Sequence, residues 1–148
     1  MKTKLLYALP ALLWMGVILS LTLQPAETSS QLSGGIVSYL YSFVELLRIS
    51  LSMEQFHFIV RKAAHVSEYF ILGLLVFVAL KPYTMTFQRK MLIVLLFGIA
   101  FASVDEFIQT FVEGRVGAVM DVLIDSVGVM LSLALVSIVQ RFRRESKV

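Results

Sequence analysis

The chain has 148 residues, 58% of them hydrophobic and 16% charged, with a formal net charge of +3 and no cysteine; its mean hydropathy is +0.85. That composition excludes an ordinary soluble domain and places the chain among small integral membrane proteins. Without cysteine there is no disulfide, thiolate metal site or cysteine nucleophile, and the cations sit in short clusters beside apolar runs, which points to membrane topology and away from nucleic acid.

Four apolar runs reach or approach the roughly 20 helical residues needed to cross a hydrocarbon core; they cover residues 5–23, 63–80, 91–109 and 119–139. The first follows Lys2 and Lys4. It is longer than the roughly 7–15 apolar residues of a secretory signal, and LQPAETSS has Gln24 where a cleavage site wants a small residue, so it reads as an uncleaved helix. In the long connection 24–62, IVSYLYSFVELLR puts Ile36, Leu40, Phe43, Val44 and Leu47 on one helical face and Ser38, Ser42 and Glu45 on another. This predicts an amphipathic helix lying in the interface or packing across the bundle, with Gly34 and Gly35 marking the bend before it. Ser52 followed by Gln55 is a capping-box signature, so the next helix starts near Met53. It runs toward Pro82 for roughly 28 residues, about 42 Å, with its first two turns outside the hydrocarbon.

Lys2, Lys4, Lys81, Arg89, Lys90, Arg141, Arg143, Arg144 and Lys147 fall on one side of a four-span topology and make up most of the 13 lysines and arginines. By the positive-inside rule both termini are cytoplasmic. The expected fold class is therefore all-α: an integral membrane bundle of four transmembrane helices, an extra amphipathic helix in the first extracytoplasmic connection, and a single domain over residues 1–148.

Residues three and four apart share a helical face. On the second span His57, Arg61, His65 and Glu68 form a stripe, with Tyr69 and Gly73 following. On the third, Gly98, Ala102, Asp105 and Gln109 align beside Glu106, and on the fourth Gly117, Asp121, Asp125, Gly128 and Ser132 align. The first span contributes Gly16, Ser20 and Gln24. Ionisable residues inside a span are expensive, and here they fall at one depth near the outer face. Taken singly, Glu106 or Lys62 fits a headgroup-layer residue and His65 a packing residue; taken together they point to a shared pocket, which close-packed glycines allow helices to surround.

RKAAHVSEYFILG (61–73), DEFIQTFVEGR (105–115), DVLIDSVG (121–128) and the LSLTLQP end of the first span together resemble the VanZ-like family of bacterial membrane proteins. The ordered motifs are K-x-x-H-x-x-x-Y-x-x-L-G, D-E-x-x-Q-x-F-V-x-G-R and D-x-x-x-N-x-x-G. The resemblance implies family positions at Ser20, Lys62, His65, Tyr69, Asp105, Glu106, Gln109, Arg115, Asp121 and Gly128. Asp125 stands where the family often has Asn, and Glu113 where Pro is common, so this pocket is more acidic than the pattern. The resemblance also implies a bacterial plasma membrane protein, and the family's name-giving member is associated with resistance to teicoplanin.

The acids Glu68, Asp105, Glu106, Asp121 and Asp125 outnumber the cations Arg61, Lys62 and Arg115. In a low-dielectric site such an excess is relieved by protons on the carboxylates or by a bound cation. The spacings are generic and lack an HExxH signature, so no metal ligand is assigned and the cofactor stays open. Three functions remain. One is an enzyme that hydrolyses or transfers a group on a lipid-linked envelope substrate. In it His65, Asp105, Glu106 and Asp121 do the acid–base chemistry, and Lys62, Tyr69, Gln109, Arg115, Asp125, Ser20 and Glu68 bind the substrate. Ser126 and Ser20 are candidate nucleophiles. The second is a non-catalytic binder of an envelope lipid, a lipid-linked precursor or a lipoglycopeptide; the third is a proton or ion pathway.

Overall fold

A computed structural model describes residues 2–46 and 50–146, with the side chains at 2, 28–33, 36 and 43–45 outside the description. The described residues form the helices α1 (Lys2–Thr22), α2 (Ala26–Leu46), α3 (Met53–Ala79), α4 (Phe87–Gln109) and α5 (Val119–Glu145). Four of them, α1, α3, α4 and α5, are long and apolar enough to cross a membrane. The chain is a multi-pass membrane protein.

The helix ends follow local chemistry. Pro25 cannot extend α1 and separates it from α2. At α3 the predicted capping box is present: the Ser52 hydroxyl accepts from the Gln55 N–H, and the Gln55 side chain accepts from the Ser52 N–H at 3.0 Å. The Thr86 hydroxyl accepts the Arg89 N–H at the start of α4.

One expectation fails at Gly34 and Gly35. They do not bend the chain but lie within α2, which already starts at Ala26. A glycine costs a helix about 1 kcal/mol relative to alanine without ending it. Neither adopts the left-handed backbone that would terminate a helix, which among the described glycines is found at Gly114. The start of α2 is held by tertiary structure, because the Ala26 N–H donates to the Glu113 carbonyl of the α4–α5 turn. Of the predicted apolar face, Leu40 is exposed, while the side chains of Ile36, Phe43 and Val44 and all of Leu47 lie outside the described residues.

The dominant contact is α3 against α5; α4 packs mainly on α5 and also touches α3, and α1 packs mainly on α3. Tyr69, Leu72, Val94, Ala102 and Val129 fill the centre, and large apolar residues such as Leu5, Leu92 and Leu131 face outward, as expected of a lipid-facing perimeter. Lys4 stacks over the Tyr83 ring at 4.5 Å, so the amino terminus and the α3–α4 connection share one end of the bundle. Phe87, Arg141 and Arg144 line a common surface, which puts the end of α5 there too. The opposite, far end carries the end of α1, the α4–α5 turn and the start of α5.

The α3–α5 contact is a close backbone approach. A Cβ on Gly128 would stand 2.3 Å from the Val66 carbonyl oxygen and 3.0 Å from the Phe70 nitrogen, so any larger residue forces the helices apart. Gly128→Ala is expected to destabilise the detergent-purified protein by about 1–3 kcal/mol, the usual range for overpacking. Gly16→Ala, where a Cβ meets nothing within 4 Å, leaves the thermal midpoint close to wild type in the same denaturation assay.

Candidate functional site

The last turns of α4 carry Asp105, Glu106 and Gln109 toward the first turns of α5, which carry Asp125. The three acids are buried, with 1%, 4% and 0% of their surface exposed. One ligand-type oxygen from each of Asp105, Glu106 and Asp125 lies within 4.8 Å of the others. Two ionised carboxylates so close repel by about 3–4 kcal/mol even at an effective dielectric of about 20. The surrounding groups have to answer that repulsion.

Asp105 and Glu106 have donors. The Thr22 hydroxyl of α1 contacts Asp105 Oδ1, and it also lies 2.9 Å from the Ile18 carbonyl; with one hydrogen it serves one acceptor at a time. Glu106 accepts the Gln109 side-chain amide at 3.1 Å and the Ala118 N–H at 2.8 Å. The second of these bonds depends on Gly117, where a Cβ would come within 2.3 Å of the Glu106 carbonyl oxygen and push the connection away from α4.

Asp125 is different. Both of its carboxylate oxygens are buried without a hydrogen-bond partner, as are His65 Nδ1 and the Tyr69 hydroxyl. His65 Nδ1 is 3.4 Å from Asp125 Oδ1, an ion-pair distance without hydrogen-bond alignment. Tyr69 lies within the electrostatic reach of Asp105, Asp125 and Glu106. Two unsatisfied polar groups thus gather around a carboxylate that is itself unsatisfied, although buried polar groups are nearly always bonded.

Around this buried floor runs a partly accessible rim. Lys62 and Asp121 form an ion pair with 16% and 20% of their side-chain surfaces exposed, and His65 keeps 17%. Glu68 is half-buried beside His65, Asp105 and Asp125, and its carbonyl accepts the Trp14 indole N–H at 2.9 Å, which ties α1 to α3. Arg115 directs its Nε to the Gln24 carbonyl at 2.9 Å and an Nη to the Leu21 carbonyl at 3.2 Å. It therefore caps the end of α1, giving the Gln24 carbonyl a donor and adding a second one to the Leu21 carbonyl, which also accepts the Gln24 N–H at 3.2 Å. Burial lowers the Arg115 guanidinium from its ordinary value, while Asp105, Glu106 and Glu68 act in the opposite direction.

His65, Glu68, Tyr69, Asp105, Glu106, Gln109, Asp121 and Asp125 therefore lie at the far end, and Lys62 of α3 and Arg115 of the α4–α5 connection lie there with them. Ser20 does not join them. It is exposed and donates to its own helix at the Val17 carbonyl, 2.7 Å away. The α1 residue facing the acids is Thr22, on the buried face with Ala11 and Ile18. That face, spaced i, i+4, i+7 and i+11 through Ala11, the partly buried Met15, Ile18 and Thr22, is the signal that would have selected Thr22. The floor is closed, with backbones in near contact at Gly117 and Gly128, and the rim is the partly accessible part.

A multi-pass helical bundle with a buried carboxylate floor at one end is the class that fold and site define. A family model described as VanZ/LLP1 matches residues 7–140, a span that contains every residue of the floor and rim. The chain belongs to the VanZ family. No curated protein and no solved structure matches it significantly.

Thr22→Val keeps the shape of the side chain and removes the donor to a buried carboxylate, and it is expected to cost about 1–3 kcal/mol. Ser20→Ala, at an exposed position, should stay within about 0.5 kcal/mol of wild type. Parallel thermal unfolding of the two variants in detergent checks the contrast.

Proposed function

We propose that this protein is an envelope enzyme that hydrolyses or transfers a group on a lipid-linked substrate, using His65 as general base at the far end of the bundle, with that end outside the cell and both termini in the cytoplasm. The observation that carries this reading is the setting of His65: Nδ1 faces the buried carboxylate of Asp125, while the ring remains partly exposed on the rim. A neutral imidazole carries one N–H; directed toward Asp125, it leaves the Nε2 lone pair facing the accessible side. The carboxylate then stabilises the imidazolium that forms when Nε2 takes a proton from water or an acceptor hydroxyl. As that oxygen bonds to the carbonyl or phosphoryl centre of the substrate, the imidazolium returns the proton to the departing oxygen. Asp121, Lys62 and Glu68 on the rim are in position to orient the polar part of the substrate, and the apolar perimeter lets its lipid part stay in the bilayer. The association of the family's name-giving member with teicoplanin resistance supports an envelope precursor as the substrate.

The non-catalytic alternative, a binder of envelope lipid or lipoglycopeptide, draws on the commitment of the two partly buried cations, Lys62 to Asp121 and Arg115 to backbone carbonyls. Turnover separates the two. His65→Gln and Asp125→Asn in proteoliposomes supplied with labelled envelope lipids should lower turnover by about 10²-fold or more, the ordinary contribution of a general base. Wild-type turnover by folded His65→Gln removes the catalytic reading.

Topology has its own test, made simple by the cysteine-free chain. Under a membrane-impermeant maleimide, intact cells carrying Glu113→Cys should be labelled and cells carrying Ser146→Cys should not. The reverse pattern would place the site on the cytoplasmic side.

A further inference from the structure

The residues of the floor have an unsatisfied requirement that acid–base chemistry at His65 does not meet. Asp105, Glu106 and Asp125 each offer an oxygen to a common point, all within 4.8 Å of one another. Two oxygens on opposite sides of one hard divalent cation are about 4.0–5.2 Å apart, twice the usual Mg²⁺ or Ca²⁺ bond length, so the spread fits one ligand shell. The second observation is independent of the clustering. Asp125 is fully buried and neither of its oxygens has a hydrogen-bond partner, and the Tyr69 hydroxyl beside it is equally buried and unpartnered. A proton shared between carboxyl groups would appear as a hydrogen bond from Asp125 to Asp105 or Glu106, and Asp125 makes none.

We infer that Asp105, Glu106 and Asp125 bind one hard divalent cation, with Tyr69 as hydrogen-bond partner to a water on that ion. The donor set selects the class of metal. All three ligands are carboxylates, the chain has no cysteine, and the His65 nitrogen faces Asp125 from outside the group, so oxygen-seeking Mg²⁺, Ca²⁺ or Mn²⁺ is favoured over Zn²⁺ or copper. The supporting contacts are those of a built site. Glu106 is oriented by Gln109 and by the Ala118 N–H, and Asp105 by Thr22, which is how outer groups aim carboxylate ligands. The cation also accounts for the tolerance of three acids in one dry space, since its two positive charges offset most of theirs. The site shares Asp125 with the proposed catalytic pair but does not rest on that reading, because a cation binds here whether or not His65 moves a proton.

The test uses the full-length protein in detergent, stripped with EDTA, dialysed, and titrated with Mn²⁺ while the electron paramagnetic resonance of free Mn²⁺ is recorded. One Mn²⁺ per chain should be bound, displaced by Mg²⁺ or Ca²⁺, and the thermal midpoint should rise with cation concentration because the ion binds only the folded state. Asp125→Asn and Asp105→Asn should weaken Mn²⁺ binding by at least about tenfold. Without cation they should be at least as heat-stable as wild type, since each removes one of three like charges. Glu113→Gln, at an exposed position outside the floor, should bind as wild type. The inference is overturned if wild-type protein takes up no Mn²⁺ and shows no thermal shift at millimolar Mn²⁺, Mg²⁺ or Ca²⁺, or if both Asn variants bind Mn²⁺ like wild type. His65-dependent turnover by a protein that binds no cation would remove this inference and leave the acid–base reading standing; cation binding without His65-dependent turnover would do the opposite.

Discussion

Like charge in a dry space is the constraint that organises this molecule. Three carboxylates from two helices meet where water is excluded, and each neighbouring element contributes something that makes the meeting tolerable. The end of α1 supplies the Thr22 hydroxyl and the α4–α5 connection the Ala118 N–H, while α3 places His65 and Tyr69 alongside without a hydrogen bond. In water these contributions would be marginal. Inside a bundle the same donors carry more weight, because an unanswered carboxylate has no solvent to turn to.

The fold serves that arrangement through close helix approach. Spanning helices gain little from hydrophobic burial against one another, since lipid is as apolar as their own side chains, so packing and polar contacts hold them together. Gly128 lets α5 meet the α3 backbone, and Gly117 lets the connection press on α4. The same closeness that excludes lipid also seals the floor. What remains reachable is the rim of Lys62, His65, Glu68 and Asp121, and any substrate would be met there. Arg115 has a structural part in this: its hydrogen bonds to Gln24 and Leu21 pin the end of α1 over the acids, so its charge acts on the site from the side.

Much of the site is legible in the chain because helical periodicity is rigid. Once Gly98, Ala102, Asp105 and Gln109 are placed on a helix they share a face, and the structure buries all four; the same holds for Asp125, Gly128 and Ser132 on α5. Periodicity fails where polarity and burial diverge. Ser20 and Thr22 are both hydroxyl residues near the end of α1, and a serine can satisfy its hydroxyl on its own helix backbone and face lipid, as Ser20 does. Gly34 and Gly35 show the same limit, since a glycine pair is compatible with a bend or with a helix, and contacts elsewhere choose.

The chain alone determined the membrane class, the number of spans, the capping box that opens α3 and the stripes that carry the acids. These follow from hydrocarbon thickness, local hydrogen bonding and the helical repeat, which act within one segment. Only tertiary structure decided which α1 residue reaches Asp105, that Lys62 and Arg115 are already committed, and that Asp125 is left buried with no hydrogen bond. Those facts depend on the rotation and distance between helices, set by side chains far apart in sequence meeting in space, and no single segment encodes them.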